Sequence, residues 1–163
     1  MWVEARWTNA TARAEGVTDL GIGGAVRRYF LTVFPLTVAI SFGVGLALAA
    51  IWPEVREGFL LSGVYLGLVL GEFGIFIAGL VYGTKKVGPL VQPRRTGVTV
   101  GLASGEAKHV QRQVLGREPT YHEQLPVLRA AAVQLREGLA RQLLTMPGLL
   151  ILFCGQAVSH GIV

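Results

Sequence analysis

The chain has 163 residues, of which 52% are hydrophobic and only 15% charged, and its mean hydropathy is +0.51. A soluble domain of this size carries about 25% charged residues. Too few polar side chains remain here to cover a water-exposed surface, so lipid is expected to solvate part of the chain. The net charge of +5 is gathered outside the apolar runs. That suits a leaflet rich in anionic lipid better than nucleic acid, because no basic stripe with interleaved aromatics accompanies it.

Residues 1–28 hold four arginines against three acids and read as a cytoplasmic N-terminal segment. Trp2 and Trp7 suit a membrane surface, where indole rings are favoured. Gly21-Ile22-Gly23-Gly24 has no strand before it, so a hinge is a better reading than a phosphate loop. No secretory signal is expected, because the first apolar run begins only at Tyr29.

Tyr29 to Trp52 is the first expected span. At about 1.5 Å per residue it reaches about 36 Å, enough to cross a bilayer core with some tilt. Arg27 and Arg28 precede it, and Pro35 is placed to kink it. Two ladders of small residues run along it with a period of four: Ala39, Gly43, Ala47 and Ser41, Gly45, Ala49. Residues 53–58 form a short link, so the next span is expected to return antiparallel as a helical hairpin.

Phe59 to Tyr82 is that second span. Gly63, Gly67 and Gly71 make a double GxxxG, and Gly74 extends the same face. Helices in lipid associate through close van der Waals approach, which glycine permits. Gly63, Gly67, Gly71, Gly74, Gly43 and Gly45 are therefore the expected helix-packing residues, against each other or against a partner. Glu72 lies within the same run. A carboxylate at span centre costs roughly 2.5–3.5 kcal/mol on insertion scales, so it is expected to face protein or water. It reads either as glue, bonded to Thr37, Ser41 or a partner's arginine, or as one station of a proton relay. A relay would need groups from another subunit, since no second charge stands within these runs.

Residues 83–142 hold ten Lys/Arg against four Glu. Lys85, Lys86, Arg94 and Arg95 follow the second span as Arg27 and Arg28 precede the first, so both flanks are expected in the cytoplasm by the positive-inside rule. Thr84 to Gly101 is expected to be irregular. Ser104 is placed to cap a short helix ending at Gly116, with Ala107, Val110 and Val114 on its apolar side. A second amphipathic helix is expected to begin near Pro126 and to present Leu125, Leu128, Ala132, Leu135 and Leu139 to a membrane surface, a partner or the protein itself.

Residues 143–163 form a third apolar run and an expected third transmembrane helix, either separate or continuous with the helix before it. Cys154 there reads as a small apolar residue, since one cysteine gives neither a disulfide framework nor a metal spacing. His160 reads as interfacial. His109 and His122 have no carboxylate pattern around them, and no Walker, HExxH or GxSxG motif occurs.

The layout and the Ala/Val/Leu/Arg/Gly bias resemble small multi-pass membrane proteins of high-GC bacteria, actinobacteria in particular. Gly116-Arg117-Glu118-Pro119 through Leu128-Arg129-Ala130-Ala131-Ala132 is similar to juxtamembrane helices of such proteins. The resemblance implies no activity. The expectation is an all-α integral membrane protein of the inner membrane, with a cytoplasmic N-terminus and no enzyme site, cofactor or metal. It would act as an accessory or assembly subunit of a larger bacterial complex, with other membrane subunits and anionic lipids as its partners. An oligomeric ion-translocating component using Glu72 is the alternative, and a holin-like pore former a third.

Overall fold

A computed structural model describes residues 2–52, 59–92 and 97–161. The described residues are mostly helical and form five helices: α1 Trp2–Ala14, α2 Ile22–Ile51, α3 Phe59–Tyr82, α4 Ser104–Val114 and α5 Leu125–Gly161. Two of them, α2 and α3, are long and apolar enough to cross a membrane. A two-residue antiparallel ladder pairs β1, Thr18–Asp19, with β2, Val91–Gln92. The chain divides into two compact units, Met1–Ile22 with Val87–Leu139, and Gly23–Lys86 with Ala140–Val163.

The first unit has its own small core. Ala10 and Ala14 of α1 are buried with Val98, Val110 of α4, and Val127, Leu128 and Ala130 of α5, and Trp7 packs half-buried against them. The N-terminal segment is therefore not merely polar. Trp7, Ala10 and Ala14 fall at helical i, i+3, i+7 spacing and put one stripe of α1 into the core. Trp7 spends its ring on that core.

Two helix ends of this unit close on glycine. Gly16 follows α1 with φ of 75°, the left-handed conformation in which glycine avoids a side-chain clash. Past α4, Arg117 N–H donates to the Arg112 carbonyl at 2.8 Å and Gly116 N–H to that of Gln113 at 3.0 Å. These are the two bonds of a Schellman cap, and Gly116 holds its φ of 70°. At the other end of α4 the N-cap is Ala103, one residue before the expected Ser104. Alanine has no acceptor for the helix N–H groups. The Glu106 carboxylate instead accepts the Ala103 N–H at 2.7 Å, which is one half of a capping box.

Thr84 to Gly101 is less irregular than expected. It holds a π turn at Gly83–Val87, a 3-10 turn at Gly88–Leu90, and β2. Helix α5 begins within a residue of Pro126 and continues without a break to Gly161. The boundary drawn at residue 143 thus falls inside one helix. Its buried side also differs from the expected leucine face. Val127, Leu128 and Ala130 are buried, whereas Leu125 and Leu139 remain 43% and 56% exposed. Gln134 lies on the same side and accepts the Val98 N–H at 2.9 Å.

In the second unit, α2 starts earlier than the apolar run. Arg27 and Arg28 ride inside its first turns, and Gly23 and Gly24 are helical rather than a hinge. A π turn spans Tyr29–Val33, closed by Phe34 N–H donating to the Tyr29 carbonyl. Pro35 explains its position. Proline has no N–H for the carbonyl four residues back, and the ladder widens by one residue just before it. Helix α3 ends at Tyr82 and runs into the Gly83–Val87 π turn.

Candidate functional site in the glycine-lined helices

Helix α3 buries Gly63, Gly67, Gly71, Ile75 and Gly79, one residue every four, and Gly83 continues the row in the π turn that follows. Four residues of α-helix turn about 400°, so such a stripe drifts by about 40° per step and by about 200° over five steps. One row of small residues therefore serves two neighbours on different sides of the helix.

The first half of the row meets α2. A Cβ added at Gly45 would lie 2.6 Å from the Gly63 carbonyl oxygen and 2.7 Å from Gly67 Cα. Added at Gly63 it would lie 2.8 Å from the Leu46 side chain, and at Gly67 3.0 Å from Phe42 Cα. Gly71 has ordinary clearance, 3.7 Å from Ser41 Cβ, and Gly74 faces Thr37 at 3.2 Å. Nearer the chain ends, the Tyr29 hydroxyl reaches the Ile75 carbonyl at 3.3 Å and Tyr82 OH donates to that of Ala25 at 3.1 Å. Partners fall in number along α2 as they rise along α3, which makes the pair antiparallel.

The second half of the row meets α5. A Cβ at Gly79 would lie 2.8 Å from the Leu144 carbonyl carbon, and one at Gly148 would lie 2.8 Å from Phe76 N and 2.9 Å from the Glu72 carbonyl oxygen. The third apolar run thus packs on α3 through glycines of both helices.

The two ladders of α2 part company here. Ser41, Gly45 and Ala49 are buried against α3, whereas Ala39, Gly43 and Ala47 are exposed. A Cβ at Gly43 meets nothing within 4 Å. Five of the six expected packing glycines lie in contact within the chain, and Gly43 does not.

Glu72 is half-buried on α3. The two bonding partners expected on α2 do not reach it. Thr37 Oγ1 donates to its own helix at the Val33 carbonyl, 2.8 Å away, and Ser41 is buried beside Gly71 and Gly74. Among the described residues the Glu72 carboxylate makes neither a hydrogen bond nor an ion pair.

Arg27, Arg28, Lys85 and Lys86 are all exposed. Arg94 and Arg95 lie outside the described residues, as do the side chains of Cys154 and His160. Among the described residues no three of His, Cys, Asp and Glu gather as metal ligands.

Two polar clusters of the first unit were not foreseen. Glu118 pairs with His109 Nδ1 and, at 3.2 Å, with Arg112, so His109 does have a carboxylate beside it. The Schellman cap brings Glu118 back over α4, a fold that residue spacing does not reveal. Asp19 is the second. Its carboxylate accepts the N–H groups of Gly21 at 2.8 Å and Ile22 at 2.7 Å, and Arg136 at 2.7 Å. The readable signal was an aspartate three residues before a helix start. The Ile22 N–H bond chiefly holds its pKa below the ordinary aspartate range. Burial opposes that, and the Gly21 bond and Arg136 reinforce it.

A carboxyl with a depressed folded pKa adds stability that is complete above its unfolded pKa, about 3.9, and is lost as pH falls through the folded value. The first unit is therefore expected to loosen below about pH 4. Asp19→Ala should cost about 0.5–2 kcal/mol at neutral pH, the usual worth of a helix cap. Because Arg136 is mostly exposed, its pairing adds little. Amide hydrogen exchange at Ile22 and Gly21, followed from pH 7 to pH 3, measures both.

No family model matches the chain, and no curated protein or solved structure matches it.

Proposed function

We propose that the chain is an integral membrane protein acting as a non-catalytic accessory or assembly subunit of a larger membrane complex. One observation carries the membrane reading. Only 17% of the most apolar window of α2 and 22% of that of α3 are buried, whereas the core helix of a soluble protein is buried on most sides. Leu36 at 61%, Leu60 at 71% and Phe73 at 54% exposure leave wide apolar faces. Monomeric soluble proteins rarely expose contiguous apolar patches beyond a few hundred Å². Lipid covers such faces without cost.

Within the bilayer, α2 and α3 form the transmembrane hairpin and the apolar part of α5 a third span. Arg27, Arg28, Lys85 and Lys86 favour the cytoplasmic side for the shared end of the hairpin, because basic residues are retained there. The inner membrane of a bacterium is the setting the resemblance favours.

The subunit reading rests on what the chain leaves free. Its glycine row is filled by its own helices, while the Ala39, Gly43, Ala47 ladder stays open for close approach by another helix. Extraction into mild detergent tests both parts. The protein should stay with membranes through an alkaline carbonate wash and should co-purify in fixed ratio with another integral membrane chain. Release by carbonate, or a clean monomer, would overturn the reading.

A second reading has Glu72 as one station of an oligomeric proton- or ion-translocating unit. The observation favouring it is that no described side chain of this protein occupies the carboxylate.

A further inference from the structure

The hairpin gathers four cations that lie apart in the chain. Arg27 and Arg28 stand immediately before the π turn Tyr29–Val33, and Lys85 and Lys86 stand within the π turn Gly83–Val87. Tyr82 fixes the level of the two segments. Its hydroxyl bonds the Ala25 carbonyl at 3.1 Å, and its ring lies 5.2 Å from that of Tyr29. All four cations are exposed, and among the described residues none has an ion pair or a side-chain hydrogen bond. Glu72 is the only described carboxylate of this unit. It lies thirteen residues before Lys85, about 20 Å along a helix axis.

From this we propose that Arg27, Arg28, Lys85 and Lys86 form one binding site for the phosphate of an anionic phospholipid headgroup. The inference rests on the membrane reading and deepens it. Arginine offers paired N–H donors that match phosphate oxygens, and lysine adds a point charge. Leu31, Leu80 and Val81 lie next in the two helices and are exposed. A ligand held by its phosphate at the cations therefore has an apolar surface beside it for acyl chains, which a free phosphate ion would not use. Tyr82, half-buried, stands between the charged and apolar zones, where aromatic rings are enriched at a bilayer interface.

The test uses the whole protein, purified in neutral detergent, stripped of lipid and titrated with phosphatidylglycerol or phosphatidylcholine. Retained lipid is counted by native mass spectrometry. Phosphatidylglycerol should be retained at least about tenfold better, with about a fivefold loss for each cation replaced by glutamine, the usual worth of one basic residue at an anionic surface. Arg27→Lys with Arg28→Lys, which keeps the charge, should keep most of the preference. Because the four side chains are exposed and make no ion pair or hydrogen bond among the described residues, circular dichroism should find the variants as helical as the parent. Equal retention of the two lipids would overturn the site, as would a preference that survives replacement of all four cations. Inorganic phosphate displacing the lipid at equal concentration would show a free-anion site and overturn the lipid assignment. If the protein keeps its need for detergent but lacks selectivity, this inference alone fails. If it stays in solution without detergent, the membrane reading fails with it.

Discussion

Gly45→Leu is expected to separate α2 from α3 and to cost the second unit about 3 kcal/mol or more. Overpacking a tight interface costs about 1–3 kcal/mol when side chains can shift. Here the atoms in the way are the Gly63 carbonyl oxygen and the backbone of Gly67, and a helix backbone cannot retreat without moving the whole helix. Even the single Cβ of Gly45→Ala would force the axes apart.

Gly43 supplies the control, two residues away on the same helix. Its Cβ would enter open space, so Gly43→Ala should be neutral or slightly stabilising, since alanine is a better helix former by about 0.5–1 kcal/mol. Gly43→Leu should leave the isolated protein within about 0.5 kcal/mol of the parent. Unfolding in detergent titrated with dodecyl sulfate ranks the variants. Similar midpoints for Gly45→Leu and Gly43→Leu would contradict the packing described here. If the proposed partner helix docks on the exposed ladder, Gly43→Leu should still abolish co-purification, separating loss of assembly from loss of fold.

How far residue patterns reach is visible in these same helices. The bounds Phe59 to Tyr82 were readable because the apolar run gives way at Gly83, where the α-helix passes into a π turn. The start of α2 was not. Charges flanking an apolar run do not end a helix, and the stop is set by Asp19 and by Gly21, which adopts a φ of 111°. The sequence displays two equivalent ladders on α2, and nothing local says which one faces α3. Ser41, Gly45 and Ala49 are buried because close backbone approach needs glycine against glycine, with Gly45 facing Gly63 and Gly67.

The core of the first unit was the least legible part. It is assembled from alanines, valines and Leu128 drawn from α1, residue 98, α4 and the start of α5, none of which lies in a long apolar run. Counting leucines on α5 therefore found Leu128 but missed Val127 and Ala130. Val127 and Ala130 join Leu128 in the core with Ala10 and Ala14, and neither stands out in a search for leucines at helical spacing. The two-residue sheet is too short to carry any alternation of side chains.

Glu72→Gln is expected to leave the isolated protein folded, within about 0.5 kcal/mol of the parent, and to act on whatever completes the site. No described residue bonds the carboxylate, and the backbone beneath Gly148 is unchanged by the substitution. If the carboxylate pairs with a partner's cation, removing its charge strands that cation in a poorly solvated setting, which costs about 3–5 kcal/mol. A loss of that size lowers affinity by more than about a hundredfold, so the partner should vanish from the purified complex. If Glu72 is a relay station, the complex should survive and proton flux should stop, because glutamine keeps the shape and polarity of glutamate but cannot exchange a proton. Flux into proteoliposomes loaded with a pH-sensitive dye measures the second, and subunit ratio after detergent extraction the first. Glu72→Asp sharpens the comparison, since it keeps the titratable group and moves it back by one methylene. It should restore some flux to a relay, whereas a geometrically fitted ion pair should regain little of its affinity. A Glu72→Gln protein with full assembly and full flux would remove the residue from both mechanisms and leave the exposed ladder as the feature supporting the subunit reading.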